Sequence, residues 1–251
     1  MLEGKVALVS GTGPNIGAEI ARTLSANGAK VVCMDLEEKY ANAVAEEIRQ
    51  KGGVAAAVSA DITQADSVER AVKAAAEAFG GIDILVNDAA ITDRKPFLDA
   101  TLEDWNRVLG VILTGTFLVS QQAARHMVAQ ARGGAIVNIV STSGHRGEGS
   151  RIAYGVAKSG VLNLTRSMAV QLAPHGIRVN SVTPTQTGTP VGRPDAPRQE
   201  GVLPKNIPLQ RWGRPADQAK AVLFLASPDA DFITGIDLPC DGGLLAVFPT
   251  G

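Results

Sequence analysis

The sequence predicts an α/β protein with one doubly wound, parallel β-sheet and helices on both of its faces. Two observations support this prediction: short apolar runs typical of buried strands alternate with segments of helical periodicity, and no repeat or low-complexity linker interrupts them. Such alternation is typical of parallel strands joined by right-handed crossovers. A length of 251 residues suits one large domain with a substantial core, so residues 1–251 are interpreted as a single domain.

The first unit of this sheet is a strand, a glycine-rich turn and a helix. Lys5–Ser10 is a short apolar run, glycines recur between Gly11 and Gly17, and Ala18–Asn27 is apolar at helical spacing. In this order they provide what a dinucleotide pyrophosphate needs, because backbone N–H groups and a helix N-terminus meet the anion. The next strand, Lys30–Asp35, ends in an acid about where a ribose-binding carboxylate belongs. A glycine turn alone is weak evidence, since it is often only a tight connection.

The remaining elements continue the alternation. Further strands are predicted from apolar runs of strand length at Val54–Ala60, Ile82–Asn87, Ala135–Ser141, Ile177–Thr183 and Ile236–Cys240. Helices are predicted from apolar residues at helical spacing at Glu38–Lys51, Ala65–Phe79, Thr101–Ala131, Tyr154–Ala173 and Pro215–Leu225. A segment rich in Pro and Gly, Thr185–Pro208, separates the strand Ile177–Thr183 from the helix Pro215–Leu225. A loop this long in a compact domain is usually functional or disordered.

Composition and charge exclude several classes of protein. The hydrophobic fraction of 45% and the charged fraction of 20% are those of an ordinary globular protein. A formal net charge of −1 argues against nucleic acid or an anionic membrane as the main partner. No run of about 18 apolar residues occurs, and Met1–Gly4 does not resemble a signal peptide. With only Cys33 and Cys240 present, a reduced, cytoplasmic protein is expected. The three histidines lack metal-ligand spacing, so no metal site is predicted.

The pair Tyr154 and Lys158 is the most informative feature of the sequence, because residues at i and i+4 share one face of a helix. A tyrosine has an ordinary pKa of about 10, and bringing it to about 7 requires roughly 4 kcal/mol. An ammonium about 5 Å away supplies about 3 kcal/mol at an effective dielectric near 20. Alone, this spacing is more typical of an amphipathic helix with a half-buried Tyr and a solvated Lys. Ser141 precedes Tyr154 at the end of a predicted strand, where it can also be satisfied by backbone, and Ser143 is its nearest competitor.

Taken together, these motifs resemble the short-chain dehydrogenase/reductase family nearly from end to end. The turn from Ser10 to Gly17 is similar to the family's TGxxxGxG motif. The matching motifs further along the chain are Asp61-Ile62, the strand end Asn87-Asp88-Ala89-Ala90, the triad Ser141, Tyr154 and Lys158, the PGxxxT-like segment Pro184–Thr189, and Asp241-Gly242-Gly243. The resemblance implies a Rossmann-type fold with seven parallel strands in the order 3-2-1-4-5-6-7.

The resemblance also implies the residues of a site. Ser141, Tyr154 and Lys158 would be catalytic. Residues expected to bind NAD are Gly11, Asn15, Ile16, Gly17, Asp35, Asp61, Ile62, Asn87, Ala89, Tyr154, Lys158, Pro184, Thr187 and Thr189. Residues expected to contact the substrate are Ser143, His145 and Thr185. Residues 185–208 match the family's substrate loop, for which a lid is favoured over a flexible surface excursion because the loop leaves the carboxyl end of a strand.

Several positions depart from the family pattern. Asn15 replaces the second motif glycine, and because Asn tolerates positive φ it can hold the turn. Asp88 replaces an Asn, while Ala90 and Thr185 replace glycines. Ile112 stands where the family usually has an Asn that supports a water-linked proton path to the Lys. This last change puts the proton relay in doubt, but neither the fold nor the cofactor.

The function implied is NAD(H)-dependent interconversion of a secondary alcohol and a ketone, with Tyr154 as general acid and base. Two alternatives remain open: a family member with altered chemistry, such as an epimerase or dehydratase, and a non-catalytic NAD-binding protein. Charged residues near the triad hint at a polar substrate, with an anionic one among the candidates, although such a cluster is usually only solvated. They are Arg94, Lys95, His145, Arg146, Glu148 and Arg151. By family analogy a homotetramer is expected, with the Leu244–Phe248 run too apolar to be left exposed.

Overall fold

The computed structural model describes residues 1–147, 149–191 and 206–247. Its centre is a parallel sheet of seven strands in the order β3-β2-β1-β4-β5-β6-β7, which confirms the predicted topology. The strands are β1 Val6–Ser10, β2 Lys30–Asp35, β3 Ala55–Ser59, β4 Ile84–Asn87, β5 Gly134–Ile139, β6 Ile177–Pro184 and β7 Asp237–Cys240. Their ends lie within one or two residues of the predicted ones, which is the usual uncertainty of an element boundary.

Helices cover both faces of the sheet. They are α1 Ile16–Ala26, α2 Glu38–Gln50, α3 Ala65–Phe79, α4 Leu102–Leu109, α5 Gly115–Gln130, α6 Ile152–Leu172 and α7 Pro215–Ala226. Side chains of a strand alternate between the two faces, and β1 shows this clearly. Ala7 and Val9 join one buried cluster with residues of α1, α2 and α7, whereas Leu8 joins a second cluster with residues of α3 and α5. The doubly wound architecture therefore follows from strands that are apolar on both faces.

The register of the strands places the predicted motifs at one edge of the sheet. Ser10 at the end of β1 is paired with Met34 on one side and with Asn87 on the other. Asn87 is in turn level with Asn138, three residues before Ser141. Because all strands run parallel, their carboxyl ends meet at this edge, where open α/β sheets bind ligands.

The prediction of one regular helix over Thr101–Ala131 is wrong in its middle. The chain forms α4, then a wider π-helical turn at Gly110–Thr114, and then α5. Glycines stand at both ends of this region, and Gly115 approaches Ile62 so closely that a Cβ would lie 2.7 Å from its Cδ1 atom. A π-helical turn inserts one residue into a helix and often marks a functional site. It places Ile112 in the interior.

The predicted substrate loop is described only at its two ends. Thr187 forms an isolated parallel bridge with Gly213, which ties the start of the loop to the segment before α7. Residues 192–205 lie outside the described residues. Within the described ranges, no helix combines the length and the apolar character needed to cross a membrane.

Candidate active site

The glycine-rich turn between β1 and α1 is compact because backbone segments touch within it. A Cβ on Gly11 would lie 2.4 Å from the Ala89 nitrogen, and a Cβ on Gly17 would lie 2.0 Å from the Gly11 oxygen. Only glycine therefore fits at these two positions. Ile16 begins α1, and Asn15 before it makes no side-chain capping bond, so the turn opens onto the start of a helix. This arrangement suits an anion.

Asn15 holds the turn in a different way from the one expected. Its φ of −152° is not left-handed, so the tolerance of Asn for positive φ plays no part. Instead its carboxamide donates a hydrogen bond to the Thr189 oxygen at 2.9 Å. Gly188 lies against this side chain, because a Cβ there would be 1.9 Å from Asn15 Oδ1. The residue that replaces a glycine thus connects the glycine-rich turn to the start of the predicted substrate loop.

Asp35 lies beside the same turn, at the end of β2. A Cβ built on Gly13 would be 3.7 Å from Asp35 Oδ2, an ordinary van der Waals distance, so the carboxylate lies next to this turn. Burial raises the pKa of Asp35 above its ordinary value, and backbone hydrogen bonds from Glu37 and Gly13 oppose that rise. A carboxylate in this position can accept hydrogen bonds from ribose hydroxyls.

The end of β4 brings the other predicted cofactor residues to this edge. Asn87 is 5% exposed and joins β4 to its neighbours, since its amide donates to Ser120 Oγ and to Asn138 Oδ1, both at 2.9 Å. The Ala89 backbone packs on Gly11. Asp61 accepts hydrogen bonds from the backbone and hydroxyl of Thr63. Its neighbour Ile62 is buried against Gly115, so these two residues also shape the fold.

Asp88, which departs from the family pattern, places a carboxylate close to α1 and to Lys158. It accepts a hydrogen bond from the Gly17 backbone, at the positive end of a helix. Burial raises its pKa to about 6, while Lys158 and Gly17 work in the opposite direction. Burial likewise lowers the pKa of Lys158 to about 8, against the influence of Asp88. Lys158 therefore remains mostly protonated at neutral pH.

Tyr154 and Lys158 are both buried on one face of α6, which rules out the amphipathic-helix interpretation with a solvated Lys. Tyr154 is 4% exposed and Lys158 is 3% exposed. The Lys158 ammonium lies 5.8 Å from the centre of the Tyr154 ring and donates a hydrogen bond to the Ile139 oxygen at 2.6 Å. A backbone carbonyl at the end of β5 thus orients the cation beside the phenol.

Ser141 and Ser143 follow β5 on a short 3₁₀ turn. Ser141 Oγ accepts a hydrogen bond from the Ser143 nitrogen at 3.2 Å. A serine hydroxyl that accepts one bond still has its own proton to donate. Ser143 Oγ accepts a hydrogen bond from Arg151 at 3.2 Å, which links the 3₁₀ turn to the start of α6. Both serines therefore lie between β5 and the helix that carries Tyr154.

Asp93 is a residue of this region that sequence reasoning missed. It is 4% exposed, and its two carboxylate oxygens accept the backbone N–H groups of Ala153 and Tyr154, each at 3.1 Å. These are orphan donors of the first turn of α6, so Asp93 caps the helix in place of a local N-cap side chain. Asp93 and Tyr154 are 61 residues apart in the chain, and no sequence pattern predicts their contact.

The predicted substrate residue His145 is held by the sheet. Its Nε2 atom lies 3.0 Å from Asp237 Oδ2 and 3.2 Å from Thr183 Oγ1. Pro184 and Thr185 follow on β6 and just beyond it. Thr187 Oγ1 donates to the Thr185 oxygen at 3.0 Å, so this segment curls back on itself beside the end of the sheet.

Ile112 is part of the apolar core around α6, the helix that carries Tyr154 and Lys158. It is 1% exposed and packs in a cluster that contains Val108, Val140, Tyr154, Ala157 and Val161. The side chain at this position therefore serves apolar packing. Lys158 instead donates its hydrogen bond to the backbone oxygen of Ile139. The proton relay of the family therefore cannot use this side chain.

Replacing Ile112 by Asn should lower the free energy of unfolding by about 2 to 4 kcal/mol, because the change removes buried apolar atoms and buries an amide. Ile112→Val is the matched control, with an expected cost of about 0.5 to 1.5 kcal/mol. Urea unfolding of both variants, with initial rates measured in parallel, checks this. If Ile112→Asn is as stable as the parent protein and several-fold more active, this position serves proton transfer rather than packing.

Comparisons with known proteins show similarity along nearly the whole chain. The family profile described as enoyl-(acyl carrier protein) reductase matches residues 11–245. A 3-oxoacyl-(acyl-carrier-protein) reductase, FabG, of Aquifex aeolicus is 41% identical over 97% of this chain and 98% of its own. A cis-4-hydroxycyclohexanecarboxylate dehydrogenase of Sinomonas cyclohexanicum is 42% identical over 97% of both chains. The solved structure of a short-chain type dehydrogenase/reductase from Mycobacterium marinum superimposes with a TM-score of 0.90 at 37% identity, covering 98% of this chain and 97% of that one.

Proposed function

The chain belongs to the short-chain dehydrogenase/reductase family, and we propose that it is an NAD(H)-dependent enzyme that interconverts a secondary alcohol and a ketone. One observation carries the proposal: the buried Tyr154 phenol and Lys158 ammonium, 5.8 Å apart by ring centre, lie at the sheet edge where such folds bind ligands. One relative is named as a reductase of a 3-oxoacyl group and another as a dehydrogenase of a hydroxy compound, which supports the reaction in both directions.

In the proposed mechanism, Tyr154 holds the proton that moves. For ketone reduction it donates this proton to the developing alkoxide, and for alcohol oxidation it removes one. The Lys158 ammonium favours the phenolate form electrostatically. Ser141 donates a hydrogen bond to the same substrate oxygen, which stabilises charge developing there. When bound, NAD⁺ would accept the hydride in alcohol oxidation, and NADH would supply it in ketone reduction.

The residues of the turn fit this cofactor. The glycine turn leads into the uncapped start of α1, where a pyrophosphate finds backbone N–H groups. Asp35 lies beside Gly13 and would accept hydrogen bonds from the ribose hydroxyls of NAD. Other members of the proposed cofactor site are Asn15, Ile16, Gly17, Asp61, Ile62, Asn87, Ala89, Pro184, Thr187 and Thr189.

A screen of alcohols with NAD and NADP, and of ketones with NADH and NADPH, tests the function through absorbance at the NADH band. Substrate-dependent net turnover of the cofactor supports the proposal. Conversion of a substrate without net cofactor turnover would instead indicate an epimerase or dehydratase that uses the nicotinamide transiently. Tight NADH binding with no conversion across a broad panel would favour a non-catalytic NAD-binding protein.

We further propose a homotetramer, because large apolar side chains are exposed on several elements. Phe117 of α5 is 42% exposed, Val156 of α6 is 44% exposed, and Phe232 before β7 is fully exposed. Apolar side chains on two or more surfaces suit the two interfaces of a closed dihedral tetramer. Light scattering at micromolar concentration should give four times the mass of one chain. The Phe117→Lys variant should give a lower mass. A stable monomer of the parent protein would contradict this.

A further inference from the structure

We propose that Asp88 limits how tightly the site binds a dinucleotide, because its carboxylate occupies part of the helix N-terminus that a pyrophosphate would meet, and that protonation of Asp88 strengthens this binding. The inference rests on the proposed function, since it assigns a regulation to the same cofactor site. Cofactor affinity then depends on pH through a residue that departs from the family pattern.

Asp88 is packed against the glycine-rich turn. It follows β4, and its backbone nitrogen donates a hydrogen bond to the Ser10 oxygen at 2.9 Å, which fixes it beside the end of β1. A Cβ on Gly17 would lie 2.8 Å from Asp88 Oδ2, and a Cβ on Gly11 would lie 2.9 Å from the Asp88 carbonyl carbon. The two glycines therefore allow this carboxylate to lie directly against the turn.

The carboxylate of Asp88 already interacts with the start of α1. It accepts a hydrogen bond from the backbone N–H of Gly17, the second residue of that helix. The N–H groups of a first helical turn have no partner within the helix and carry its partial positive charge. They are the groups that a pyrophosphate needs. A charged Asp88 therefore takes one of these donors and places a negative charge beside the others.

The groups around Asp88 determine when it is charged. Burial raises its pKa to about 6, and the Asp35 carboxylate at the end of β2 acts in the same direction, whereas Lys158 of α6 and the Gly17 N–H lower it. Above this pKa the carboxylate is charged and repels a pyrophosphate, and below it the repulsion is lost. A bound pyrophosphate, as a further anion, would raise the pKa of Asp88, so binding should take up protons.

Glu19 provides a matched comparison at the same helix N-terminus. It also lies in the first turn of α1, but its carboxylate pairs with Arg22 at 3.5 Å, and about a third of each side chain is exposed. Solvent and the arginine therefore screen its charge. Glu19 has the charge of Asp88 without the contact to Gly17, so removing it controls for the loss of one negative charge near the turn.

The test measures the Kd of ADP-ribose by calorimetry, because this ligand has the adenosine and the pyrophosphate of NAD without the nicotinamide. All proteins carry Asp35→Asn, which removes the other carboxylate beside the turn. At about pH 7, adding Asp88→Asn should tighten binding at least about threefold, the effect of one charge about 7 Å away even at the dielectric of water. Adding Glu19→Gln instead should change the Kd by less than about twofold.

The pH dependence identifies the titrating group. With Asp88 present, the affinity for ADP-ribose should rise at least about twofold between about pH 7 and about pH 5.5, and with Asp88→Asn it should stay constant. Lys158, with a pKa of about 8, remains mostly protonated over this range. Calorimetry in two buffers of different ionisation enthalpy should show uptake of a fraction of a proton near pH 6 with Asp88 and none with Asp88→Asn. A purely structural role of Asp88 would change the Kd without proton uptake.

Equal or weaker binding of ADP-ribose by Asp88→Asn at about pH 7 would overturn the proposal. So would binding without proton uptake while Asp88 is present, a result that does not require the Asp88→Asn variant to fold. Failure here is distinguishable from failure of the proposed function. NADH binding and substrate turnover that are indifferent to Asp88 would contradict only this inference, whereas a parent protein that binds neither ADP-ribose nor NADH at millimolar concentration would contradict both.

Discussion

Replacing Tyr154 by Phe is expected to lower kcat/KM by about 10²- to 10⁴-fold, the range that a positioned general acid or base contributes. Phe keeps the ring that packs with Ile112, Ala157 and Val161, so the fold should be preserved. The substitution removes only the hydroxyl that we propose as the proton donor and acceptor. The Kd for NADH, measured by fluorescence titration, should stay nearly unchanged.

The chain offers a matched control in Tyr40, its only other tyrosine. Tyr40 lies in α2 with the Lys39 ammonium 4.9 Å from its ring, so it also has a lysine neighbour but is remote from the triad in sequence. Tyr40→Phe should leave both kcat/KM and NADH binding unchanged. If Tyr154→Phe retains more than a small fraction of the parent rate, the proton comes from another group and Tyr154 is not the acid.

The fold was largely predictable because strands buried on both faces produce continuous apolar runs. β1, β2 and β4 are such runs, and the helices between them show the complementary helical spacing. The order of the strands depended on the family resemblance, since periodicity alone does not say which strands pair. The π-helical turn at Gly110–Thr114 escaped prediction because one inserted residue barely changes the apolar spacing of a helix.

The site was predictable where chemistry depends on spacing and not where it depends on distant contacts. Tyr154 and Lys158 share a helix face by the geometry of the α-helix, so their proximity followed from sequence. The lowered pKa of Lys158 could not be predicted in this way, because it arises from burial of the side chain, which depends on the tertiary structure and not on sequence spacing. The cap that Asp93 provides and the link from Asn15 to Thr189 join segments far apart in the chain.

Cofactor choice should be controlled by Asp35, and the parent protein should prefer NAD to NADP. The 2′-phosphate of NADP would bring like charge to the carboxylate beside Gly13. Two like charges about 5 Å apart repel by about 1 to 3 kcal/mol as the effective dielectric falls from 80 to 20. This corresponds to about five- to 150-fold in kcat/KM. No Lys or Arg occurs in the turn from Gly11 to Gly17 or directly after Asp35 to offset the repulsion.

Asp35→Asn keeps the shape of the side chain and removes its charge. It should therefore raise kcat/KM for NADP by most of this factor of about five to 150, and it should lower kcat/KM for NAD only modestly. Glu37→Gln is the matched control, because this neighbouring carboxylate also contributes negative charge at Asp35. Glu37→Gln should change the ratio of kcat/KM for NADP to kcat/KM for NAD far less.

The raised pKa of Asp35 adds a pH dependence with a definite sign. As the pH falls towards this pKa the carboxylate is protonated, so discrimination against NADP should shrink in the parent protein and stay constant in Asp35→Asn. Equal kcat/KM values for NAD and NADP in the parent protein at neutral pH would show that Asp35 does not contact the ribose.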